Sequence, residues 1–173
     1  LNVMHIKEMI YLNREAHKGL WAYIHAHESM IDEIRGNTYF SEPIAFEMDD
    51  GDIKEMIRPY CMGRIVDVRQ FFEKYPCDPD EKPVRIGFEI KDELLPWNNE
   101  DIIVLFENGK CKIVDEPADY SVKLSIGTLT ALLLGYKTAD KLYEMGRIQA
   151  DREAVTQLDR RLLHEVPYVS DYI

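Results

Sequence analysis

The amino-acid sequence predicts an α+β fold in which helices cover an antiparallel sheet. From Val84 to Ile90, apolar residues alternate with polar or small ones, and this period of two is typical of a strand with one buried face. Asn108-Gly109 separates two further apolar runs and is a residue pair that two-residue hairpin turns favour. After Thr128 the apolar spacing becomes that of helices. These three observations define the fold class.

Three more segments complete the predicted sheet. Ile102 to Phe106 is continuously hydrophobic, as in a strand that is buried on both faces. Lys110 to Val114 is the return strand of the hairpin, and Tyr120 to Ile126 alternates with a period of two. We predict that these strands and Val84 to Ile90 form one antiparallel meander.

Capping residues mark three helices after the sheet. Thr128 and Thr138 can each cap a short helix that ends at a glycine, Gly135 or Gly146, and Asp151 can cap a longer one. The apolar stripe of that last helix comprises Val155, Leu158 and Leu162. Its arginines are expected on the other faces: Arg152, Arg160 and Arg161.

The sequence before the sheet divides in two. Met62 to Val68 is expected to form a strand, and Arg69 to Tyr75 a short helix that ends before Pro76. Earlier still, we predict a strand from His5 to Leu12, a helix that Asn13 caps and that runs to Ala26, and a strand from Met30 to Arg35. The face of that helix expected to be buried comprises Ala16, Leu20, Tyr23, Ile24 and His27. We therefore predict two domains, residues 1–59 and 60–173.

Composition narrows the possible partners. The net charge of −11 repels nucleic acid and anionic lipid headgroups, and it attracts cationic small molecules such as polyamines or aminoglycosides. Apolar stretches fall far short of the roughly 20 residues that a spanning helix needs, so no membrane partner is expected. The three cysteines are widely spaced, which favours a reducing, cytoplasmic setting. The chain begins at Leu1 with no signal-peptide pattern, which indicates a fragment.

The sequence predicts no metal site and no nucleotide-binding loop. His25 and His27 are two residues apart, so they point to different sides of a helix and cannot chelate together; His17 lies further away. No Ser or Cys has the context of a nucleophile elbow. The nine glycines are scattered singly, whereas a pyrophosphate needs a glycine-rich turn that opens a helix.

Several stretches together resemble the Eis-like (enhanced intracellular survival) acetyltransferases of the GNAT family. The first lie late in the second GNAT domain of that family: Ile6 to Leu12, Glu15-Ala16 and Gly19 to Trp21. The others resemble its C-terminal domain: Arg64 to Val68, Leu129 to Leu132, Leu134 to Tyr136, Met145 to Ile148 and Tyr168 to Ile173. This ordered series covers most of the chain and is more specific than any one stretch.

The resemblance implies two fused GNAT domains followed by a sterol-carrier-protein-like domain. Residues 1–59 would be the C-terminal half of the second GNAT-like domain, and residues 60–173 the sterol-carrier-protein-like domain. Catalysis and acetyl-CoA binding in that family belong to the first GNAT domain, which lies outside this sequence. The resemblance therefore implies an accessory part of an acetyl-CoA-dependent amine N-acetyltransferase that closes the substrate pocket, assembles a homo-oligomer (a hexamer in the family) and is inactive alone.

The resemblance also assigns a role to the end of the chain. In the family, the C-terminal α-carboxylate reaches the catalytic cleft as a general base, and here that group belongs to Ile173, where relatives commonly have Phe. Asp171 and Tyr172 would contact the substrate. The alternative for this segment is that it simply packs or frays, as most termini do. Two other functions stay open: a lipid- or sterol-binding module, with Leu129 to Leu134 lining a tunnel, and a purely structural oligomerisation domain.

Overall fold

The computed structural model describes residues 1–38, 44–48, 53–57, 62–79, 81–165, 167 and 169. Two compact units, Leu1–Arg58 and Pro59–Ile173, make up the chain. Among the described residues, each unit has its own sheet, of two strands in the first and five in the second.

The first unit is a strand–helix–strand motif. Strand β1 (Val3–Ile6) pairs in parallel with β2 (Glu33–Gly36), and helix α1 (Arg14–His25) connects them. The side chain of Asn13 accepts a hydrogen bond from the backbone N–H of Ala16 at 2.8 Å, so the predicted cap is confirmed. The predicted strand from His5 to Leu12 is wrong, since β1 lies earlier and pairing with β2 stops at Ile6.

The first unit buries very little. Among its described residues Ile24 is the one buried hydrophobic residue. Leu20 and His27 are half-buried, whereas Ala16 and Tyr23 are exposed, so the predicted helix face is only partly covered. Large apolar side chains stay exposed, including Leu12 and Phe46 at 94% and 92%. Parallel strands are normally covered on both faces, and the described residues of this unit leave much apolar surface exposed.

The second unit is a mixed sheet covered by helices. Its strands are β3 (Val84–Lys91), β4 (Asp101–Glu107), β5 (Lys110–Val114), β6 (Tyr120–Ser125) and β7 (Ile148–Gln149), in the spatial order β5-β4-β3-β6-β7. Its helices are α2 (Val68–Lys74), α3 (Ile126–Leu133), α4 (Ala139–Glu144) and α5 (Arg152–Arg161). The α+β class and the four predicted strands of one sheet are confirmed.

The predicted antiparallel meander is wrong at one step. Strand β6 pairs in parallel with β3, on the side away from β4, so residues 115–119 cross the sheet. The outer edge of β5 is occupied by Pro76, which forms an isolated bridge with Lys110, and proline cannot extend a ladder. The crossing chain passes over Gly87, where a Cβ would lie 3.2 Å from the Cβ of Ala118.

The core lies between the inner sheet face and the helices. Every second residue of β4 is buried, whereas Ile103 and Leu105 are half-buried on the outer face. The prediction that this strand is buried on both faces is therefore wrong. The ring of Phe72 lies 5.2 Å from that of Phe88 and 6.4 Å from that of Phe106, measured between centroids. These three rings are at most 1% exposed.

Helix boundaries correct two further predictions. Helix α3 begins at Ile126, directly after β6, and Ser125 rather than Thr128 is its N-cap. Strand and helix share this junction, so no loop precedes the cap. Residues 62–67 form no strand, and α2 begins after Asp67, whose side chain accepts from Gln70 N at 2.9 Å. The cap at Thr138 is confirmed, whereas the Asp151 side chain makes no capping hydrogen bond.

Arg161 is buried, contrary to the prediction that the arginines of α5 lie on its solvent-facing sides. It is 4% exposed, and its guanidinium donates to the carbonyls of Gln157 at 3.0 Å and Lys82 at 2.9 Å. Glu81 lies 3.5 Å away. Backbone carbonyls and one carboxylate thus replace the water that a solvated arginine would bind.

Leu129→Ala should lower the free energy of unfolding by about 2–5 kcal/mol, because Leu129 is fully buried and its removal leaves a cavity. Leu94→Ala is the matched control, since Leu94 is 73% exposed and surface truncations change stability by about 0.5 kcal/mol or less. Urea denaturation of the 173-residue chain measures both. Equal losses in the two variants would contradict the described core.

Candidate functional site

The residues predicted to act at the end of the chain, Asp171, Tyr172 and Ile173, lie outside the described residues. Their roles as substrate contacts and as general base therefore stay predictions. The described chain shows the contacts that are made at the end of α5 and just after it. After α5, the imidazole of His164 donates to the carbonyl of Asp159 at 3.1 Å, and Asp78 N donates to the carbonyl of Arg161 at 3.0 Å.

The buried carboxylate of Asp92 holds the residues that precede helix α2. The Asp92 side chain is fully inaccessible and accepts from Arg64 Nη2 at 2.5 Å. It also accepts from the backbone N–H groups of Leu94 and Leu95, at 2.9 and 3.0 Å, and from Asn98 Nδ2 at 2.9 Å. Six atoms, four donors and both carboxylate oxygens, are thereby fixed in one network.

Asn98 extends this network to helix α2. Its side-chain oxygen accepts from Val68 N at 3.2 Å, and its amide nitrogen lies 3.3 Å from the carbonyl of Val66. The indole N–H of Trp97 donates to that same carbonyl at 2.9 Å. Residues 64–68 thus follow a path fixed by side chains of the β3–β4 connection. The sequence analysis missed this network because no motif marks it.

The pKa of Asp92 reflects these contacts. Burial alone would raise the pKa of its carboxyl, but hydrogen bonds from Asn98, Leu94 N, Leu95 N and Arg64 outweigh that effect and lower it from 3.8 to about 2. The carboxylate is ionised at neutral pH and serves as an acceptor, not as an acid. Because it is inaccessible and fully engaged, its role is to hold structure.

The histidines of the first unit make local contacts. Nε2 of His17 lies 3.0 Å from Glu47 Oε2, and Trp21 Nε1 lies 3.2 Å from that same oxygen. His25 pairs with Glu28 at 3.0 Å, and His27 Nδ1 donates to the carbonyl of Tyr23 at 2.8 Å. Over the residues that the structure describes, no three His, Cys, Asp or Glu side chains lie close enough to hold a metal ion.

The described cysteines are poorly suited to nucleophilic catalysis. Cys77 and Cys111 are free and buried, and burial raises the pKa of both thiols. The thiolate, which is the reactive form, is therefore scarce at neutral pH. Cys61 lies outside the described residues.

The N-termini of helices α1 and α3, each of which follows a strand, do not fit the pyrophosphate of a coenzyme A thioester. At α1 the Asn13 side chain already occupies the N-terminus, and Glu15 places a negative charge in the first turn. At α3 the hydroxyls of Ser125 and Thr128 lie 3.0 Å apart and close the N-terminus. A pyrophosphate needs free backbone N–H groups in a glycine-rich turn, and neither junction offers them.

The space between sheet and helices in the second unit is filled. Leu129, Leu158, Phe72 and Val104 each have no solvent-accessible surface. A side chain with none touches no void large enough for a water molecule. The described core therefore has no lipid-sized tunnel along these residues. No helix among the described residues is long and apolar enough to cross a membrane.

Two family models match the chain and together cover most of it. Residues 68–170 match the sterol carrier protein domain, and residues 2–65 match an acetyltransferase (GNAT) domain. The chain therefore belongs to the sterol carrier protein domain family, and its first part matches a GNAT acetyltransferase domain, which is the domain pair that the resemblance to Eis-like proteins predicted. No curated protein matches the chain by sequence.

Solved structures agree with this assignment. A probable N-acyltransferase from Enterococcus faecalis superposes on 99% of this chain with a TM-score of 0.90 and 29% identity, and the match covers 44% of that protein. A GCN5-related N-acetyltransferase from Anabaena variabilis gives a TM-score of 0.80 at 21% identity, covering 99% of this chain and 44% of its own. Eis1 from Mycobacterium abscessus gives 0.76 at 20%, covering 99% and 43%. The chain thus spans less than half the length of these proteins.

Asp92→Asn should lower the free energy of unfolding at pH 7 by about 3–5 kcal/mol, because it leaves buried donors facing an amide and removes the partner of Arg64. Asp119→Asn is the matched control: its ion pair with Arg85 is partly exposed, at 38% and 36%, and such pairs contribute about 1 kcal/mol or less. Urea denaturation of both variants measures the difference.

The same comparison should depend on pH. The folded-state pKa of Asp92 is lowered to about 2 from 3.8, so its contribution is complete above the unfolded pKa and is lost as pH falls through the folded one. The advantage of the wild type over Asp92→Asn should therefore shrink between about pH 4 and pH 2. An advantage that stays constant across that interval would contradict the ionised role of Asp92.

Proposed function

We propose that this chain is the part of an amine N-acetyltransferase that follows its acetyl-CoA-binding domain, and that it shapes the acceptor pocket rather than binding the acetyl donor. The observation that carries the proposal is the combination of a GNAT match over residues 2–65 with N-termini of helices α1 and α3 that do not fit a pyrophosphate. The acetyl-CoA site of such an enzyme then belongs to sequence outside this chain.

The exposed apolar surface of the first unit supports this proposal. Ile10 and Ile57 are 67% and 76% exposed, and among the described residues of this unit Ile24 is the one buried hydrophobic residue. Burying such surface is favourable by roughly 25 cal/mol per Å². A preceding segment of the same polypeptide would complete this sheet, as the greater length of the matched structures suggests.

The acceptor is proposed to be a cationic amine, such as a polyamine, an aminoglycoside or a lysine side chain. The net charge of −11 produces a field that attracts cations and repels polyanions. Assembly into a homo-oligomer is proposed from the family resemblance. In this scheme the sterol-carrier-type unit is a scaffold for the chain segments on either side of it.

The end of the chain is proposed to take part in the reaction. In an enzyme whose chain ends at Ile173, the terminal carboxylate would accept a proton from the ammonium of the acceptor, since only the free amine can attack a thioester carbonyl. Asp171 and Tyr172 would hold the acceptor beside it. The family resemblance supports these three assignments.

Lipid carriage is not favoured by the described core. The helix α3 segment proposed to line a tunnel contains Leu129, Leu132 and Leu133, and these are 3% exposed or less. A dry, filled interior leaves no volume for a sterol or an acyl chain.

The isolated 173-residue chain should neither bind acetyl-CoA nor acetylate amines. Isothermal calorimetry with acetyl-CoA, followed by an acetylation assay on spermidine and kanamycin, tests both statements. The full-length enzyme is the positive control. Micromolar binding by the isolated chain would overturn the assignment of the donor site to sequence outside it.

Extending an enzyme that ends at Ile173 by a few residues should reduce its turnover number about 10²- to 10⁴-fold, the usual contribution of a well-placed general base. The extension replaces a charged carboxylate with a neutral amide at that position. Ile173→Phe is the matched control, because it keeps the carboxylate and should retain activity. Full activity of the extended enzyme would show that the terminus has no catalytic role.

A further inference from the structure

Two glycines end consecutive helices of the second unit in the same way. Gly135 follows α3 with φ of 71°, and Gly146 follows α4 with φ of 68°. At the first, Gly135 N donates to Leu132 O and Tyr136 N donates to Ala131 O, at 3.0 and 2.9 Å. This pair of bonds is the Schellman arrangement, which favours glycine because the left-handed conformation strains other residues.

Gly146 repeats this geometry. Its N–H donates to Tyr143 O at 2.9 Å, and Arg147 N donates to Leu142 O at 2.8 Å. As helix caps the two glycines are therefore equivalent, and each should lose a similar amount of stability when a Cβ is added at positive φ.

The surroundings of the two glycines differ. A Cβ built on Gly135 would lie 2.1 Å from the carbonyl oxygen of Glu165 and 3.1 Å from its carbonyl carbon, whereas a Cβ on Gly146 would meet nothing within 4 Å. The obstacle at Gly135 is backbone, so it cannot turn aside as a flexible side chain could. Helix capping alone does not require this close approach.

The backbone that approaches Gly135 belongs to the segment that follows α5. This segment leaves the helix at Leu162, and His164 is held by the carbonyl of Asp159 at 3.1 Å. One residue later, Glu165 packs against the end of α3. Because Gly135 has no side chain, the backbone of Glu165 can pack against the end of α3 at this position.

We infer that Gly135 is a positioning residue for the chain that follows α5: its lack of a Cβ lets the Glu165 backbone pack against the end of α3. The effect of Gly135 on catalysis rests on the proposed function, in which that segment carries Asp171, Tyr172 and the Ile173 carboxylate. The contact between Gly135 and the Glu165 backbone is a property of the fold and can be tested without measuring activity.

The direct test is hydrogen exchange at the amides of residues 163–165 in the full-length enzyme, comparing Gly135→Ala with Gly146→Ala. Gly135→Ala should speed exchange there by about tenfold or more, because the segment loses its packing, whereas Gly146→Ala should leave it within about twofold. Equal exchange in the two variants would overturn the inference.

A truncated protein distinguishes the loss of the Glu165 contact from a general folding defect. In a protein that ends at His164, the Glu165 backbone is gone and only the cap strain remains at position 135. The thermal midpoints of Gly135→Ala and Gly146→Ala should then be lowered equally, whereas in the untruncated protein Gly135→Ala should be lowered more. A difference that persists after truncation would show that Glu165 is not what Gly135 accommodates.

Kinetics separates the inference from the proposed function. Gly135→Ala should lower kcat of the full-length enzyme on the order of 10²-fold, as small displacements of a reacting group do, with KM for acetyl-CoA unchanged; Gly146→Ala should keep both. If Gly135→Ala speeds exchange at residues 163–165 but leaves kcat unchanged, the packing role of Gly135 is supported and the catalytic role of the chain end is refuted.

Discussion

The packing of Phe72 between Phe88 and Phe106 is the interaction on which the second unit depends. It fastens α2 to the two central strands of the sheet, with ring centroids 5.2 and 6.4 Å apart. Aromatic pairs at such distances add about 0.5–1.5 kcal/mol each beyond the area that they bury. The rings fill the space between α2 and strands β3 and β4, and all three are at most 1% exposed.

Two contacts tie the flanking chain to the second unit. Asp92 and Asn98 fix residues 64–68 before α2, and Gly135 receives Glu165 after α5. Both contacts hold backbone atoms and are buried or sterically tight. They therefore fix the course of the chain at these two places. The chain just before α2 and the chain just after α5 are thereby both held by residues of the second unit.

Local patterns predicted the elements of the fold but not their arrangement. The alternation from Val84 to Ile90 and the Asn108-Gly109 turn depend on neighbouring residues, and both predictions are confirmed. The parallel pairing of β6 with β3 depends on which sheet edge is free, and a period of two carries no such information. The burial of Arg161 likewise depends on carbonyls of Lys82, 79 residues away.

The site was less accessible to sequence reasoning than the fold. The family resemblance supplied Asp171, Tyr172 and Ile173, whereas no residue pattern alone would have singled them out. The Asp92 network was missed because its members are single residues from two segments, Arg64 before α2 and Asp92 and Asn98 between β3 and β4. Gly135 was expected to end a helix, which is correct, but its contact with Glu165 joins residues 30 positions apart in the sequence and cannot be read from a capping motif.

The central claim is that this chain contributes to turnover and not to binding of the acetyl donor. The most direct measurement compares the full-length enzyme with a variant that lacks residues 62–173, using acetyl-CoA calorimetry and the rate of amine acetylation on the same preparations. The account predicts that the shortened enzyme binds acetyl-CoA with unchanged affinity and acetylates amines far more slowly. Loss of acetyl-CoA binding, or an unchanged acetylation rate, would contradict it.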